Sequence, residues 1–198
     1  DAAGEPKLFE AVCNSLLRNE RAGRVDDSLG GSVEDAIHFA ERAAHVFDSS
    51  HRALIMFTSG TTGKPKAAEL TWGNLVEASK ASNRVLSGRV RGRGLWQAVL
   101  PFFHVGGFQV LVRSVCSPLR IYERFDAAAV LRDAEVMHAT HISVVDKMLQ
   151  DMLNARPNAL SQYECVLLGG GPLNAKTVAR ALEAEARVYA SYGMTETS

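Results

Sequence analysis

Apolar and polar residues alternate in blocks along most of the chain, and the pattern sharpens after about residue 50. Short runs rich in aliphatic and β-branched residues predict strands at 53–57, 67–70, 95–100, 121–122, 141–145, 165–168 and 188–192. Apolar residues at helical spacing between these runs predict helices, with Thr71, Asp126 and Asn174 as N-caps and with Val178 and Leu182 facing inward on the last helix. Strands that alternate with helices over short connections predict an α/β fold with a largely parallel sheet flanked by helices.

Residues 1–50 are weakly patterned, and we expect a partial amino-terminal segment of helices and loops there, followed by a core α/β region at 51–198. Ligands of parallel sheets bind beyond the carboxyl ends of the strands. The loops after Leu168 and Tyr192 are predicted to lie at such ends, so we expect functional residues in them. The chain begins with Asp rather than Met and ends directly after a motif-like stretch, so we expect it to be part of a longer protein.

Composition narrows the class of protein. The 198 residues, 46% of them hydrophobic, are enough for one domain with its own core. Lys plus Arg and Asp plus Glu both number 22, so charge gives no reason to expect a nucleic acid or an anionic membrane as partner. No apolar run approaches the roughly 20 residues of a spanning helix. Three widely spaced cysteines predict neither a disulfide framework nor a zinc site, and they favour a reducing, cytoplasmic setting. Oligomeric state stays open.

The segment at 58–66 carries the clearest chemical signal. It holds four hydroxyl side chains, two glycines and two lysines within nine residues. Glycines let backbone N–H groups turn toward an anion, and hydroxyl and ammonium groups complete the coordination that a triphosphate needs. The segment is not a Walker loop, because its glycines are too close together and Pro65 follows Lys64. Predicted strands on both sides make it the loop of a hairpin, and by composition alone a flexible surface turn fits as well.

The segment at 58–66 resembles the signature of the adenylate-forming superfamily, which includes acyl-CoA synthetases, luciferases and peptide-synthetase adenylation domains. Three further segments of this superfamily have counterparts in the same order, namely residues 100–107, 168–172 and 192–196. The resemblance covers about residues 52–198. Within the superfamily, residues 113–115, 125–126, 140–149 and 165–171 resemble the o-succinylbenzoate–CoA ligases of menaquinone biosynthesis.

The resemblance implies an AMP-forming acid–CoA ligase that uses ATP, Mg²⁺ and coenzyme A, with o-succinylbenzoate as the expected carboxylic acid. It implies that one group of residues holds the phosphates, namely Thr58, Ser59, Gly60, Thr61, Thr62, Gly63, Lys64 and Lys66. It further implies that Glu196 ligates Mg²⁺, that Thr195 bonds the α-phosphate and that Tyr192, followed by Gly193, packs on adenine. Room for the base and the acyl group is implied at Gly169, Gly170 and Gly171. The implied catalytic residues are Thr58, Lys66, His104 and Glu196.

The roles of residues in recognition of the acid are hypotheses, each with a structural alternative. The resemblance places His104 at the acyl site, where it gates the approach of the thiol, with Gly170 beside it. We hypothesise that Arg113 binds the distant carboxylate of the succinyl chain and that Ser143 donates a hydrogen bond to the substrate. Structural roles are the alternatives for His104, Arg113 and Ser143. A solvated carboxylate is the alternative for Glu196, and a core aromatic is the alternative for Tyr192.

The sequence also departs from the family pattern. Ala67 stands where relatives commonly have glycine, and Asp146 stands where a proline is expected, which puts a charge near the implied acyl pocket. The aspartate that holds the ribose, the hinge and the carboxy-terminal domain with its catalytic lysine have no counterpart in the 198 residues, so this chain alone should at best bind nucleotide weakly. The rival interpretations are another aryl- or fatty-acyl-CoA ligase and a non-catalytic nucleotide-binding relative.

Overall fold

The computed structural model describes residues 49–58, 66–86, 94–114 and 117–197. The elements expected within residues 1–48, the phosphate-loop residues 59–64 and most of the glycine-rich loop at 88–94 lie outside the described residues. Among the residues that are described, no helix is both long and apolar enough to cross a membrane.

The two strands around the phosphate loop form an antiparallel hairpin, as predicted. Strand β1 (Arg52–Thr58) pairs with β2 (Lys66–Thr71), and the pairing runs from Arg52 opposite Thr71 to Thr58 opposite Lys66. The Thr58 hydroxyl donates to the Lys66 carbonyl oxygen at 3.4 Å, across the open end of the pairing. The base of the loop is therefore fixed by its own strands.

Five parallel strands form a second sheet, which confirms the predicted fold class. The strands are β3 (Leu95–Ala98), β4 (Leu119–Ile121), β5 (Ala139–Val144), β6 (Cys165–Leu168) and β7 (Val188–Ala190). Their order across the sheet is β4-β3-β5-β6-β7, and every neighbouring pair is parallel. The chain moves from β3 to β4 on one side and then returns to β5 on the other. The carboxyl ends of β3 and β5 therefore flank a topological switch point, where open α/β sheets form their ligand crevice.

Five α-helices connect or precede these strands: α1 (Trp72–Leu86), α2 (Val105–Arg113), α3 (Ala127–Met137), α4 (Asp146–Ala155) and α5 (Ala175–Glu183) among the described residues. Short 3-10 helices at Pro157–Gln162 and Thr195–Thr197 were not predicted. Helix α2 begins at Val105, so the two glycines expected to precede it form its first turn.

The three predicted N-caps are all present. Thr71 and Asn74 cap α1 reciprocally, since the Asn74 N–H donates to Thr71 Oγ1 at 3.2 Å and the Thr71 N–H donates to Asn74 Oδ1 at 3.0 Å. Asp126 accepts from the Ala129 N–H at 2.7 Å at the start of α3. Asn174 caps α5 in the same way. These contacts satisfy backbone donors that the first helical turn leaves unpaired.

The sheet is covered on both faces. Helices α3 to α5 enclose the larger core with Ile142 and Val144 of β5, while Trp96 and Val110 belong to a smaller cluster under α1 and α2. Because side chains alternate along a strand, Ser143 lies on the α1–α2 face. The inward face predicted for α5 is wrong in part. Leu182 is 62% exposed, and Thr177 and Ala181 are buried instead, because the helix approaches α4 closely on its small-residue side.

Candidate functional site

Four loops that carry the candidate residues lie at one edge of the parallel sheet. His104 follows β3, Ser143 is the second-last residue of β5, the glycines at 169–171 follow β6, and residues 192–196 follow β7. Since these strands are neighbours and parallel, their carboxyl ends meet at the same edge. The structure thus brings together residues that are up to about 90 positions apart in the chain, at the edge that the sequence predicted.

The phosphate-loop hairpin approaches the same edge. Cα atoms of β2 and of the 3-10 turn Thr195–Thr197 come within 8 Å of each other. Lys66, at the start of β2, is exposed, and Thr58 is half-buried at the end of β1. Ser59 to Lys64 lie outside the described residues. Strand β2, which follows the phosphate loop, and the turn that carries Glu196 are therefore neighbours in space.

The three consecutive glycines have different surroundings. A Cβ on Gly169 would lie 2.4 Å from Ser191 Oγ, and Gly170 has a φ of +80° with Val145 Cγ1 3.1 Å from where its Cβ would be. A Cβ on Gly171 would have no neighbour within 4 Å among the described residues, and the same is true of Gly193 in the next loop. The first two glycines are thus explained by the protein's own packing. Gly171 and Gly193 leave open space over the crevice edge.

Residues 192–197 form an exposed turn rather than the end of the predicted last strand. Strand β7 ends at Ala190, and the Tyr192 side chain is 92% exposed, so the core-aromatic alternative for Tyr192 is wrong. Thr197 Oγ1 accepts from the Met194 N–H at 3.1 Å and donates to the Met194 carbonyl oxygen at 3.1 Å, which closes the turn. Glu196 is exposed within it, and Thr195 is partly buried.

His104 is the N-cap residue of α2 and makes no side-chain capping bond. Its backbone N–H donates to the Pro101 carbonyl oxygen at 3.1 Å, which fixes the loop after β3. The imidazole is exposed, and its ring centroid lies 4.6 Å from that of Phe103, which is itself 75% exposed. The exposed position places the His104 ring at the surface of the crevice rather than in the core.

Two polar atoms near the end of β5 are buried without a hydrogen-bond partner among the described residues. They are Ser143 Oγ, on a residue that is 4% exposed, and Asp146 Oδ1. The second oxygen of Asp146 accepts from Gln150 Nε2 at 2.6 Å. Buried polar groups are nearly always paired, so the Ser143 hydroxyl at the switch point is a candidate to bond a ligand there. Asp146 is the first residue of α4, directly beyond this end of β5.

The structure does not bring Arg113 to this edge. Helix α2 starts at the carboxyl edge and runs back toward the amino edge, where Arg113 ends it. Arg113 Nε donates to Ser82 Oγ of α1 at 3.0 Å. Burial lowers the pKa of Arg113, and the nearby thiol of Cys165, the first residue of β6, partly offsets that effect. These contacts give Arg113 a place between α1, α2 and β6, and they do not support contact with the succinyl carboxylate.

Sequence analysis passed over Ser191, whose side chain covers Gly169. The one sequence signal for Ser191 was its position directly before Tyr192. Successive side chains of an extended chain point to opposite sides, so Ser191 and Tyr192 point in opposite directions. Within the described ranges no cluster of three or more His, Cys, Asp or Glu residues occurs. The exposed carboxylate of Glu196 fits Mg²⁺ instead, because Mg²⁺ is commonly held by one or two carboxylates together with substrate phosphates.

A parallel α/β sheet with glycine loops at its carboxyl edge, next to a strand that follows a hydroxyl-rich segment with two glycines, defines a nucleotide-binding class of protein. The chain belongs to the AMP-binding enzyme family, whose model matches residues 7–198.

The individual relatives are acid–CoA ligases. A 2-succinylbenzoate–CoA ligase from Bacillus pumilus is 38% identical over 153 residues, which cover 76% of this chain and 31% of the relative. The o-succinylbenzoate coenzyme A synthetase from Bacillus subtilis in complex with ATP and magnesium ion is 34% identical, with a TM-score of 0.69 over 76% of this chain and 32% of that one. The same enzyme in complex with the acyl-adenylate intermediate gives a TM-score of 0.71. The chain spans about a third of the length of these relatives.

Proposed function

We propose that this chain is the nucleotide- and acid-binding core of an AMP-forming acid–CoA ligase that activates o-succinylbenzoate in menaquinone biosynthesis, in the cytoplasm. A carboxylate oxygen of the acid attacks the α-phosphorus of ATP and pyrophosphate leaves, which gives an acyl-adenylate. The thiol of coenzyme A then attacks the acyl carbon and AMP leaves, which gives the thioester. Support comes from the family membership and from the relatives with 2-succinylbenzoate–CoA ligase activity in their names.

One observation carries this proposal. Strand β2, which begins at the end of the phosphate loop, lies beside the turn Thr195–Thr197. A reaction at the α-phosphorus requires the groups that hold the terminal phosphates and the group that neutralises their charge to be within one nucleotide's length. Had the hairpin lain at the amino edge of the sheet, the loop and Glu196 could not serve one ATP molecule.

Each chain residue near the nucleotide has a stated task in the proposal. The backbone N–H groups and side chains of residues 58–66 hold the β- and γ-phosphates while pyrophosphate departs. Glu196 would hold Mg²⁺, which when bound supplies positive charge against the phosphates. The Thr195 hydroxyl would bond the α-phosphate, and the exposed Tyr192 ring would pack on adenine. Gly171 and Gly193, which face open space, would let the nucleotide approach the backbone.

The acid would lie at the switch point between β3 and β5. Ser143 Oγ is the proposed hydrogen-bond donor to the acid, since it is buried, faces the α1–α2 side and has no other partner among the described residues. His104 would line the mouth of the acyl site and gate the approach of the thiol, and Gly170 would border the acyl group. Arg113 takes no part in the proposed site.

Nucleotide binding is tested first, by isothermal titration of the chain with Mg·ATP and with AMP. Glu196→Gln should weaken Mg·ATP binding by about tenfold and leave AMP binding nearly unchanged, because the lost charge acts through the metal. Glu183→Gln, an exposed carboxylate of α5, is the matched control and should change neither affinity. Gly171→Ala should weaken both ligands without lowering the melting temperature, because its Cβ meets no protein atom. Equal Mg·ATP affinities for Glu196→Gln and wild type would remove the metal role.

Acid identity is tested by ATP–pyrophosphate exchange over a panel of acids, with this chain and with a longer protein that contains it. The proposal expects exchange with o-succinylbenzoate in preference to benzoate or a fatty acid. Faster exchange with benzoate or a fatty acid would refute o-succinylbenzoate as the substrate, and the assignment as an acid–CoA ligase would stand. Nucleotide binding in the longer protein without exchange for any acid would favour the non-catalytic relative.

A further inference from the structure

The loops after β6 and β7 meet at one side-chain contact, between Gly169 and Ser191. A Cβ at Gly169 would lie only 2.4 Å from Ser191 Oγ, a distance that real Cβ atoms essentially never show. The Ser191 hydroxyl therefore occupies the space that any other residue at position 169 would fill. Glycine at 169 and serine at 191 fit each other as a pair, although 22 positions separate them.

Backbone bonds hold this pair in register. The Ser191 N–H donates to the Leu168 carbonyl oxygen at 2.9 Å, and the Gly169 N–H donates to the Val144 carbonyl oxygen at 3.2 Å. The hydrogen-bonding pattern of β5, β6 and β7 thus continues one residue past the strand ends. Ser191 Oγ lies 3.5 Å from the Leu168 oxygen, at the limit for a hydrogen bond, so the hydroxyl acts mainly through the space that it fills.

We propose that Ser191 is a positioning residue that sets the separation between the glycine loop 169–171 and the turn that carries Tyr192 and Glu196. This inference rests on the proposed function, because both loops border the proposed nucleotide. A side chain added at Gly169 would meet the Ser191 hydroxyl, so Ser191 must rotate its side chain or move, with the turn that follows it, away from the glycine loop. Misplacement of binding groups by about 1 Å can cost about 10²-fold in activity, so a shift of this kind should be measurable.

The test enlarges the side chain at position 169 and removes the hydroxyl at position 191, separately and together. In the chain, Gly169→Ala should weaken AMP binding about tenfold and speed amide hydrogen exchange at residues 192–197. Removal of the hydroxyl by Ser191→Ala should relieve the clash, because the added Cβ would then lie 3.8 Å from the Cβ of residue 191 and 3.6 Å from its carbonyl oxygen, which are ordinary contacts. The double variant Gly169→Ala/Ser191→Ala should therefore recover AMP affinity to within about threefold of Ser191→Ala alone.

Val136→Ala is the control, since the Val136 side chain is 80% exposed near the end of α3, at the amino edge of the sheet and away from both loops. It should leave AMP affinity and exchange at 192–197 unchanged. The proposal is overturned if Gly169→Ala impairs binding equally with and without Ser191→Ala, or if exchange at 192–197 does not respond to Gly169→Ala. If Gly169→Ala does not fold, the double variant Gly169→Ala/Ser191→Ala decides. Folding of the double variant supports the proposal, and its failure to fold overturns the proposal.

The exchange measurement also separates this inference from the proposed function. If a longer protein that contains the wild-type chain bound no AMP, the nucleotide role would fail. Exchange at 192–197 in the ligand-free variants would still decide whether Ser191 positions the turn.

Discussion

Removal of the Tyr163 hydroxyl tests the buried polar network that supports β3. Gln97, in the middle of β3, is fully buried, and its Oε1 accepts a hydrogen bond from the Tyr163 hydroxyl at 2.5 Å. Its Nε2 donates to the Tyr122 hydroxyl at 2.7 Å and to the Val130 carbonyl oxygen at 3.0 Å. Burial raises the pKa of Tyr163, so this hydroxyl keeps the proton that it donates at neutral pH.

The two tyrosines of the network should differ in their effect. Tyr163→Phe leaves the Oε1 atom of Gln97 without a donor in a residue that solvent does not reach. An unsatisfied buried acceptor costs about 1–3 kcal/mol, so the free energy of unfolding should fall by about 2 kcal/mol. Tyr122→Phe should cost about 1 kcal/mol or less, because both partners of the Tyr122 hydroxyl keep another interaction. Gln97 Nε2 still donates to the Val130 oxygen, and the Asp133 carboxylate still pairs with Arg120 at 3.4 Å.

The assay is urea unfolding at neutral pH of the wild type, both Phe variants, and Gln97→Leu with and without Tyr163→Phe. When both polar partners are replaced by apolar groups, the loss should largely disappear, so Tyr163→Phe should be nearly neutral in the Gln97→Leu background. A loss below about 0.5 kcal/mol for Tyr163→Phe, or an equal loss in both backgrounds, would refute the reasoning.

Three further predictions concern stability. Gly107→Ala should lower the free energy of unfolding by about 3 kcal/mol or more, because its Cβ would lie 2.2 Å from the Pro101 carbonyl oxygen. Gly106→Ala should be neutral or should stabilise α2 by up to about 1 kcal/mol. Thermal denaturation of the two variants compares them. Asp126→Ala should lose about 1 kcal/mol with its cap, and Asp126→Asn should lose much less, as urea unfolding would show. Burial lowers the pKa of His141 in the folded state below its ordinary 6.5. The unfolded chain therefore binds more protons in acid, and stability should fall as the pH drops below about 6.5; His141→Gln should reduce this slope, measured by urea unfolding between about pH 7.5 and about pH 5.5.

The strands were predictable where their own residues decide the outcome. Cys165–Leu168 was located to the residue, because a short apolar run directly before three glycines has one interpretation. The last strand was predicted to reach Tyr192, yet β7 ends at Ala190. Its partner β6 ends at Leu168, which pairs with Ala190, so the end of β7 is set by a neighbour that local composition does not reveal.

Helix faces and helix ends were harder to predict. Leu182 is more hydrophobic than Ala181, but each position turns about 100° around the helix axis, and close packing selected the smaller residue. The assignment of Arg113 overlooked direction. Nine residues of α2 carry the chain about 13 Å from the carboxyl edge back toward the amino edge. The topology alone would have separated Arg113 from His104.

The glycines of the 169–171 loop show why sequence identifies a site more readily than it explains one. Three consecutive glycines predicted the close approach of a ligand to the backbone, but in the structure the three positions have different surroundings. Gly169 is required by Ser191 and Gly170 by its positive φ, while Gly171 has no such reason within the described part of the chain. The requirement at Gly169 comes from Ser191, which is distant in sequence, and the requirement at Gly170 comes from its own backbone conformation, so no local pattern reports either.

The position of the hairpin follows independently from α1, which begins directly after β2. The carbonyl oxygen of Leu86, at the end of α1, lies 3.4 Å from Nε2 of His141, near the start of β5. Fifteen helical residues span about 22 Å, and α1 packs along α2, which itself runs between the two edges of the sheet. The opposite end of α1, with Trp72 and β2, must then lie toward the carboxyl edge, where Glu196 is found. The nearness of β2 to the acidic turn thus follows from the length and direction of one helix.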